Sequence, residues 1–255
     1  MPKVIAMIPI LLGSERIKDK NLLLVNGKLL VDYVVTSCKQ AGVFDAIYIN
    51  SQHEIFKDIA LKYGIEFYKR DPKRGGTACL MKNKSSDCKG ERCPIQDHFI
   101  WDFMCNVESD YLFLIHTTSP LITPETIKKF VETMINEDYD SIASVIEEQT
   151  ECFYEGNPIN FDPNVTHLHK YLAPIQRFTG ALSGWKSKSF KDSFSSDSLS
   201  ERGPKYCGKV GLFPINKIEG IDIDTWEDLY LAEAYLTYKD TIKSRKGEYL
   251  SEITK

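Results

Sequence analysis

The order of apolar and polar positions along the chain predicts an α/β protein. The first apolar block, Val4 to Ile10, is rich in β-branched residues and ends in a polar, basic loop that holds Gly13, Arg16 and Lys20. A second apolar block begins after the turn Asn26-Gly27, and its spacing is that of a helix. The start of the chain therefore predicts a buried strand, a loop at the carboxyl end of that strand, and a helix.

The same alternation continues as far as residue 146. Strand-like runs occupy residues 46–50, 65–69, 111–116 and 140–146, and helical patterns occupy residues 54–63 and 95–107. A further helix is predicted after Thr123, because a capping residue followed by a proline and an acid is typical of a helix start. Strands and helices in alternation favour a Rossmann-like, doubly wound, mostly parallel sheet.

The alternation stops after residue 146. Residues 147–176 are irregular, with three prolines and with aromatic residues such as Phe153 and Tyr171 that follow no pattern. We interpret this segment as a small arm that packs on a second subunit, with a lid over the active site as the alternative. The predicted organisation is thus an α/β core over residues 1–146, the arm over 147–176, and a return to the core over 177–255.

The composition and net charge of the chain limit the kinds of partner that we expect it to bind. The chain has 255 residues, is 42% apolar and has a net charge of −4, which gives no reason to expect nucleic-acid binding. No apolar run approaches the roughly 18 residues that a membrane-spanning helix needs. The apolar start of the chain lacks the small-residue cleavage site of a signal peptide. We therefore expect a cytoplasmic protein that binds neither nucleic acid nor membranes.

A cysteine-containing stretch interrupts the predicted core. Residues 71–94 are rich in Lys, Gly and Ser and show no periodicity, so we interpret them as a flexible insertion. Within this stretch lie Cys79, Cys88 and Cys93, which we expect to be free thiols. A zinc site with His98 as the fourth ligand is the alternative, although the closely spaced cysteine pair typical of zinc sites is missing.

Two aspartates near the end of the chain are spaced for a cation site. Asp222 and Asp224 are separated by one residue, so an extended backbone directs both to the same side. Adjacent carboxylates repel each other unless a cation lies between them, and oxygen ligands suit Mg²⁺. The alternative is structural, because Thr225 and Asp228 form a capping box for a following helix. The basic loop after the first strand favours the metal site, since its lysines and N–H groups suit a polyphosphate.

Five short motifs resemble those of the acylneuraminate (CMP-sialic acid) and CMP-KDO synthetases, a family of sugar cytidylyltransferases. The motifs are Ile8-Pro9 with Gly13-Ser14 and Lys18-Asp-Lys-Asn21, Thr118-Ser-Pro-Leu121, Thr179-Gly-Ala181, Gly208-Lys-Val-Gly211, and Ile221-Asp-Ile-Asp-Thr225 with Glu227-Asp-Leu229. The resemblance implies a Rossmann-like core with a dimerisation arm, and therefore a homodimer. It also implies Mg²⁺-dependent transfer of CMP from CTP to an acidic, sialic-acid-like sugar, with release of pyrophosphate.

The resemblance also implies a role for particular residues. The expected catalytic residues are Lys20, Asp222 and Asp224, and the two aspartates are also the expected Mg²⁺ ligands. Nucleotide binding is expected at Gly13, Ser14, Arg16, Lys20, Asn21 and Arg70. Binding of the sugar substrate is expected at His116, Thr118, Ser119, Arg177, Thr179 and Gly180.

The chain departs from this family in the first loop. Leu11 replaces an arginine that binds phosphate, Leu12 replaces a glycine, and Glu15 replaces a lysine. In the polar elbow that follows residue 115, His116 and Thr117 replace a Gln-Pro pair. The first loop therefore has two cations fewer and one anion more than the family pattern.

The altered loop leaves several functions open. We expect Lys20, supported by Arg16 and Lys18, to supply the phosphate-binding charge that the loop has lost. One alternative is a relative without catalysis, or with altered specificity, that binds a nucleotide or a sugar. Another is a nucleotide-sugar glycosyltransferase with a D-x-D motif, although that motif normally lies near mid-chain and here lies close to the carboxyl end.

Overall fold

The structure is a computed structural model that describes residues 2–14, 16–72, 98–166, 168–193 and 206–244. The predicted insertion over residues 71–94, with its three cysteines and the alternative zinc site, lies outside the described residues except for its first two positions. Glu15 lies outside them as well.

The elements are numbered in chain order. The strands are β1 (Val4–Pro9), β2 (Leu24–Val25), β3 (Lys28–Leu29), β4 (Ala46–Ser51), β5 (Glu66–Lys69), β6 (Tyr111–Ile115), β7 (Ser141–Glu148), β8 (Phe153–Tyr154), β9 (Asn157–Pro158), β10 (Ile175–Lys186) and β11 (Val210–Pro214). The helices are α1 (Leu30–Ala41), α2 (Ile55–Tyr63), α3 (His98–Asn106), α4 (Pro124–Asn136), α5 (Ser187–Ser193) and α6 (Trp226–Ser244).

Seven strands form the central sheet, in the order β11-β7-β10-β6-β1-β4-β5. Strands β6, β1, β4 and β5 are parallel, and β7 is parallel to β11. Strand β10 runs antiparallel to both of its neighbours, β6 and β7. The predicted α/β fold with a mostly parallel sheet is confirmed. The carboxyl ends of the parallel strands share one edge with the amino-terminal half of β10.

Local sequence signals explain several element boundaries. Helix α4 begins after Thr123, whose hydroxyl accepts a hydrogen bond from the backbone N–H of Thr126, as the capping signal predicted. Strands β2 and β3 form a hairpin around Asn26 and Gly27, which both have positive φ angles of 47° and 76°. That geometry is typical of the tightest hairpin turns. The sequence predicted the turn, but each strand is only two residues long and shows no periodicity.

Apolar side chains from the two faces of the sheet form separate clusters. One cluster includes residues of α1, α2 and α4. The other includes Phe103 of α3, Phe190 of α5 and Trp185 of β10. A third cluster, which includes Ile17 and Ile223, joins the loop after β1 to α6. Burial of an aliphatic side chain of this size contributes about 1.5–3 kcal/mol to stability. The third cluster therefore holds the loop after β1 close to the segment around Ile223, and these two segments carry the candidate site.

The segment between β7 and β10 exposes many apolar side chains. It contains the β8–β9 hairpin and a short 3₁₀ turn at His169–Tyr171. Its exposed large apolar residues are Phe153, Tyr154, Ile159, Val165, Leu168 and Tyr171. Strand β7 ends at Glu148 and β10 begins at Ile175, so most of residues 147–176 lie between these two strands.

Helix α6 begins at Trp226, directly after Thr225 of the predicted capping box, and the described helix continues to Ser244. Among the described residues, no helix is long and apolar enough to cross a membrane.

Candidate active site

The basic loop after β1 and the segment Asp222-Ile-Asp224 meet at the carboxyl edge of the sheet. The ammonium group of Lys20 donates hydrogen bonds to the carbonyl oxygen of Ile223 and, at 3.1 Å, to Oδ1 of Asp224. The guanidinium Nη2 of Arg16 lies 2.8 Å from Oδ2 of Asp224. Both carboxylate oxygens of Asp224 therefore contact a cation.

Backbone geometry in the loop directs Lys20 inwards. Gly13 has a φ of 85°, and its N–H donates to Oδ1 of Asp19 at 3.1 Å. Ile17 is buried in the third apolar cluster and anchors the middle of the loop. As a result, Lys20 is only 7% exposed, whereas the side chain of Arg16 is 66% exposed. One cation is thus fixed within the fold and the other lies at the surface.

Asn21 connects this loop to the elbow after β6. Its side-chain N–H donates to the carbonyl oxygen of Leu11 at 2.8 Å, and its side-chain oxygen accepts from the hydroxyl of Thr117 at 2.8 Å. The adjacent Leu12 packs against the core. Leu11 therefore takes part in the loop through its backbone, and Asn21 acts as a link between the two site loops.

Asp222 lies in a partly buried environment that disfavours its charged form. Burial raises its pKa, the hydroxyl of Thr118 partly offsets this effect by hydrogen bonding, and the nearby charge of Asp224 raises the pKa further. Its buried Oδ1 has no hydrogen-bond partner among the described residues. The backbone N–H of Ile223 donates to the carbonyl oxygen of Thr118 at 2.8 Å, which fixes the segment beside the elbow.

The backbone of Gly180 lies close to the carboxylate of Asp222. It has a φ of 78°, and a Cβ atom at this position would lie 3.7 Å from Oδ2 of Asp222. The chain reaches this conformation in a bulge, where residues 179 to 182 of β10 lie opposite Ser144 alone. The bulge therefore brings the backbone of Gly180, which has no side chain, close to Asp222.

The acidic pair has the chemistry of a divalent metal site. A buried carboxylate oxygen without a hydrogen-bond partner is unfavourable unless a cation or another donor contacts it. Mg²⁺ in phosphoryl-transfer sites commonly takes one or two carboxylates, with phosphate and water oxygens as the other ligands. Within the described residues there is no group of three or more metal-binding side chains. Asp222 and Asp224 fit a metal that a nucleotide brings with it.

Arg70 lies buried at the end of β5, with 2% of its surface exposed. Its Nε donates to Oδ1 of Asn50 at 2.6 Å, its Nη2 donates to the carbonyl oxygen of Asn50 at 3.0 Å, and its guanidinium lies 4.3 Å from the ring centre of Phe99. Burial lowers the pKa of Arg70 to about 10. No acidic group among the described residues forms an ion pair with it, and its described partners are all neutral.

The other predicted substrate residues lie at the same edge, with different degrees of access. The hydroxyl of Thr179 exchanges hydrogen bonds with Ser144 inside the bulge of β10, so its role in the described structure is internal. The hydroxyl of Ser119 is fully buried, and it has no hydrogen-bond partner among the described residues. Arg177 forms an exposed ion pair with Glu148 at 3.2 Å, at the base of the arm.

Two further residues that are predicted to bind substrate or nucleotide, His116 and Ser14, lie in the two loops of the site. The backbone N–H of His116 donates to the carbonyl oxygen of Ala181 at 3.2 Å, which brings the elbow against β10. Ser14 lies partly exposed in the loop after β1.

Sequence reasoning missed two groups at this edge. The carbonyl oxygen of Ile223 binds Lys20 through the backbone, which no side-chain pattern reveals. Asn50 is fully buried and fixes Arg70. A signal for Asn50 was available, because a polar residue ends the buried run of β4 at the edge where α/β sheets bind ligands.

Comparison with known proteins supports the assignment. A family model described as "Cytidylyltransferase" matches residues 5–82. The chain is 26% identical over 231 residues to N-acylneuraminate cytidylyltransferase A of Danio rerio. It is 29% identical over 255 residues to N-acylneuraminate cytidylyltransferase of Streptococcus agalactiae serotype V, and 28% identical over 134 residues to pseudaminic acid cytidylyltransferase of Campylobacter jejuni. The resemblance to the sugar cytidylyltransferases is confirmed.

For the Danio rerio and Streptococcus agalactiae proteins, the matched share of the relative is smaller than the matched share of this chain. The alignments cover 87% of this chain and 48% of the Danio rerio protein, 96% and 56% for the Streptococcus agalactiae protein, and 52% and 53% for the Campylobacter jejuni protein. The chain thus spans about half the length of the curated relatives it matches.

Solved structures of cytidylyltransferases share the fold of this chain. CMP:2-keto-3-deoxy-manno-octonic acid synthetase, solved in complex with CTP, superimposes with a TM-score of 0.64 at 13% identity, over 93% of this chain and 99% of that chain. A 4-diphosphocytidyl-2C-methyl-D-erythritol synthase from Anaerococcus prevotii gives a TM-score of 0.61 at 15% identity, over 92% of this chain and 96% of that chain. At these identities the likeness concerns the fold alone.

Proposed function

We propose that the protein is a Mg²⁺-dependent cytidylyltransferase that transfers CMP from CTP to the anomeric hydroxyl of an acidic, sialic-acid-like sugar. The observation that carries this proposal is the contact of Lys20 and Arg16 with Asp224, beside the buried Oδ1 of Asp222, which has no hydrogen-bond partner among the described residues. Cations and carboxylates at the carboxyl edge of an α/β sheet are the groups that a metal–triphosphate ligand needs. The names of the relatives described above supply the nucleotide and the class of sugar.

In this reaction, negative charge would develop close to Lys20, Arg16 and the proposed metal site. The anomeric oxygen forms a bond to the α-phosphorus and releases its proton, while the bond from that phosphorus to the bridging oxygen breaks and pyrophosphate leaves. Negative charge accumulates on the phosphate oxygens, so catalysis depends on positioned cations more than on a covalent intermediate. Asp222 and Asp224 would hold Mg²⁺, which supplies charge neutralisation when bound. Lys20 and Arg16 would contact the triphosphate.

Two loops would place the substrates at this edge. Backbone groups of Gly13 and Ser14 lie in the loop that carries Lys20, and Asn21 fixes that loop to the elbow. We propose that Arg70 contributes a buried positive charge to nucleotide binding from the end of β5. The amino-terminal half of β10, with Gly180 against Asp222, would form the sugar side of the site.

We further propose that the protein is a homodimer that forms through the arm between β7 and β10. Six large apolar side chains of this segment are exposed, and Tyr171 is exposed by 74%. A cluster of this kind on one segment is typical of an interaction surface. Light scattering at micromolar concentration tests this part, and a monomer would contradict it.

A pyrophosphate-release assay tests the main proposal. The assay crosses the four common nucleoside triphosphates with a panel of 2-keto acidic sugars, with and without Mg²⁺. We expect release only with CTP, Mg²⁺ and one class of acidic sugar. Asp222→Asn and Asp224→Asn should each lower turnover by orders of magnitude while the fold survives, because each change removes an anion and keeps the shape. Asp58→Asn, an exposed position on α2, is the matched control.

Thermal unfolding separates the enzyme from a relative that only binds. Ligand at 100 times its Kd adds about 2.7 kcal/mol to the free energy of unfolding. Stabilisation by CTP with Mg²⁺ but no pyrophosphate release with any sugar would indicate a binding protein. Wild-type turnover in Asp224→Asn would refute the metal assignment.

A further inference from the structure

Asp222 and Asp224 differ in what contacts them, although they are only two residues apart. Oδ1 of Asp224 contacts Lys20 at 3.1 Å and Oδ2 contacts Arg16 at 2.8 Å, so both of its oxygens are engaged. Oδ1 of Asp222 is buried and has no hydrogen-bond partner among the described residues. Among the described residues, only Asp222 therefore has a carboxylate oxygen that no cation or hydrogen-bond donor already contacts.

The charges of this four-residue cluster cancel. Lys20 and Arg16 are cations and the two aspartates are anions, so a divalent metal that arrives alone adds uncompensated positive charge. To reach Asp224, the metal has to displace Arg16 or Lys20. A triphosphate brings a charge of about −4 at neutral pH and offers both cations new partners, and charge-assisted bonds to phosphate are among the strongest hydrogen bonds in proteins.

We propose, on the basis of the proposed function, that Asp224 is a positioning residue before it is a metal ligand. Before nucleotide binds, Asp224 holds Lys20 and Arg16 in place, and Asp222 alone offers an oxygen without a partner among the described residues. When the triphosphate draws the two cations away, Asp224 is released to share the metal with Asp222. Metal and nucleotide therefore enter together, and a metal ion without nucleotide binds weakly.

This assignment predicts opposite effects of one substitution on two ligands. Arg16→Ala removes a cation from Asp224, so the protein without nucleotide should bind a divalent metal more tightly. The same substitution removes a phosphate contact, so the protein should bind nucleotide more weakly. The side chain of Arg16 is 66% exposed, and its removal is therefore compatible with the fold. A residue with a purely structural role would not move the two affinities in opposite directions.

The experiment measures metal and nucleotide separately on the full chain. Electron paramagnetic resonance follows Mn²⁺ binding without nucleotide, and calorimetry follows a CTP analogue with a methylene group between its α- and β-phosphates. We expect Arg16→Ala to bind Mn²⁺ about tenfold more tightly than wild type, since a charge beside a divalent ion contributes about 1.4 kcal/mol at a few ångströms in a wet site. Arg16→Lys, which keeps the charge, should restore the wild-type affinity. Lys129→Ala, which removes an exposed cation of α4 outside the two site loops, is the charge-matched control and should leave Mn²⁺ binding unchanged.

Further variants assign the gained affinity to each carboxylate. Arg16→Ala with Asp224→Asn should lose the gain, and Asp222→Asn should lose Mn²⁺ binding in either background. Wild type and Arg16→Ala with the same Mn²⁺ affinity, or a weaker affinity in Arg16→Ala, would overturn the inference. Failure of the CTP analogue to bind wild type, together with the expected Mn²⁺ results, would instead contradict the proposed function and leave the role of Asp224 standing.

Discussion

Replacement of Lys20 by alanine tests whether this residue carries the phosphate-binding charge of the altered loop. Lys20 donates to the carbonyl oxygen of Ile223 and to Asp224, and it is 7% exposed. Binding of a triphosphate would exchange the bond to Asp224 for a bond to phosphate. A charge-assisted hydrogen bond contributes about 1.5–3 kcal/mol. Because one such bond is given up for another, the net loss should lie near the lower end of that range.

The expected effect is therefore a loss of about tenfold in nucleotide affinity, which corresponds to about 1.4 kcal/mol. Lys18→Ala should cost less, about 1 kcal/mol at most, because Lys18 is an exposed side chain of the same loop. Calorimetric titration of the methylene analogue of CTP at fixed Mg²⁺ and salt measures both. Lys20→Met keeps the apolar stem and removes the charge, so it should resemble Lys20→Ala if charge is the cause.

Two results would refute this reasoning. Lys20→Ala with wild-type affinity would show that the loop does not use Lys20 for phosphate, and a larger loss in Lys18→Ala would reverse the predicted order. Thermal unfolding of each variant without ligand checks that the fold survives, since removal of Lys20 leaves the carbonyl oxygen of Ile223 without this donor.

Three other perturbations follow from described contacts. Leu11→Arg should tighten binding of the CTP analogue in the same titration, because it restores a cation that the related family has at this position; weaker binding would show that the loop no longer accepts a triphosphate there. Asn50→Ala should lower the free energy of unfolding by about 2–4 kcal/mol in urea denaturation, because it removes the side-chain partner of the buried Arg70, and a change below about 1 kcal/mol would contradict the importance of this bond. Tyr171→Ser should weaken the proposed homodimer, so light scattering across a dilution series should show the monomer at higher protein concentration than for wild type; an unchanged series would remove Tyr171 from the interface.

The sequence predicted those parts of the fold that depend on local signals. Thr123 before a proline marks the start of α4, and Asn26-Gly27 marks a tight turn, since capping and positive φ angles are properties of a few adjacent residues. The insertion of antiparallel β10 between β6 and β7 was not predictable in this way. Strand neighbours are chosen by pairing between distant segments, and the apolar run of β10 fits a parallel or an antiparallel neighbour equally well.

The same distinction applies to the candidate site, where local signals predicted some residues but not the partners that distant segments supply. Lys20 and the aspartate pair were predicted from a loop at a strand end and from period-2 spacing, and the structure brings Lys20 and Asp224 into contact. The partners of Thr179 and Arg70 were not predicted. The hydroxyl of Thr179 is engaged by Ser144 in a bulge, and Arg70 is fixed by Asn50, 20 positions earlier. Such contacts depend on how two strands align, which periodicity does not encode.

The bond between Lys20 and Ile223 also has a consequence for how the protein gains and loses its activity. It joins residues 203 positions apart, so its formation closes a long loop and carries a large entropic cost. The segment is held from the other side by α6, whose buried residues include Leu229 and Ala232. Release of α6 alone would separate the acidic pair from Lys20 while the seven strands stay paired. Increasing urea should therefore abolish nucleotide binding before the strands unfold, which hydrogen exchange of the strand amides would measure.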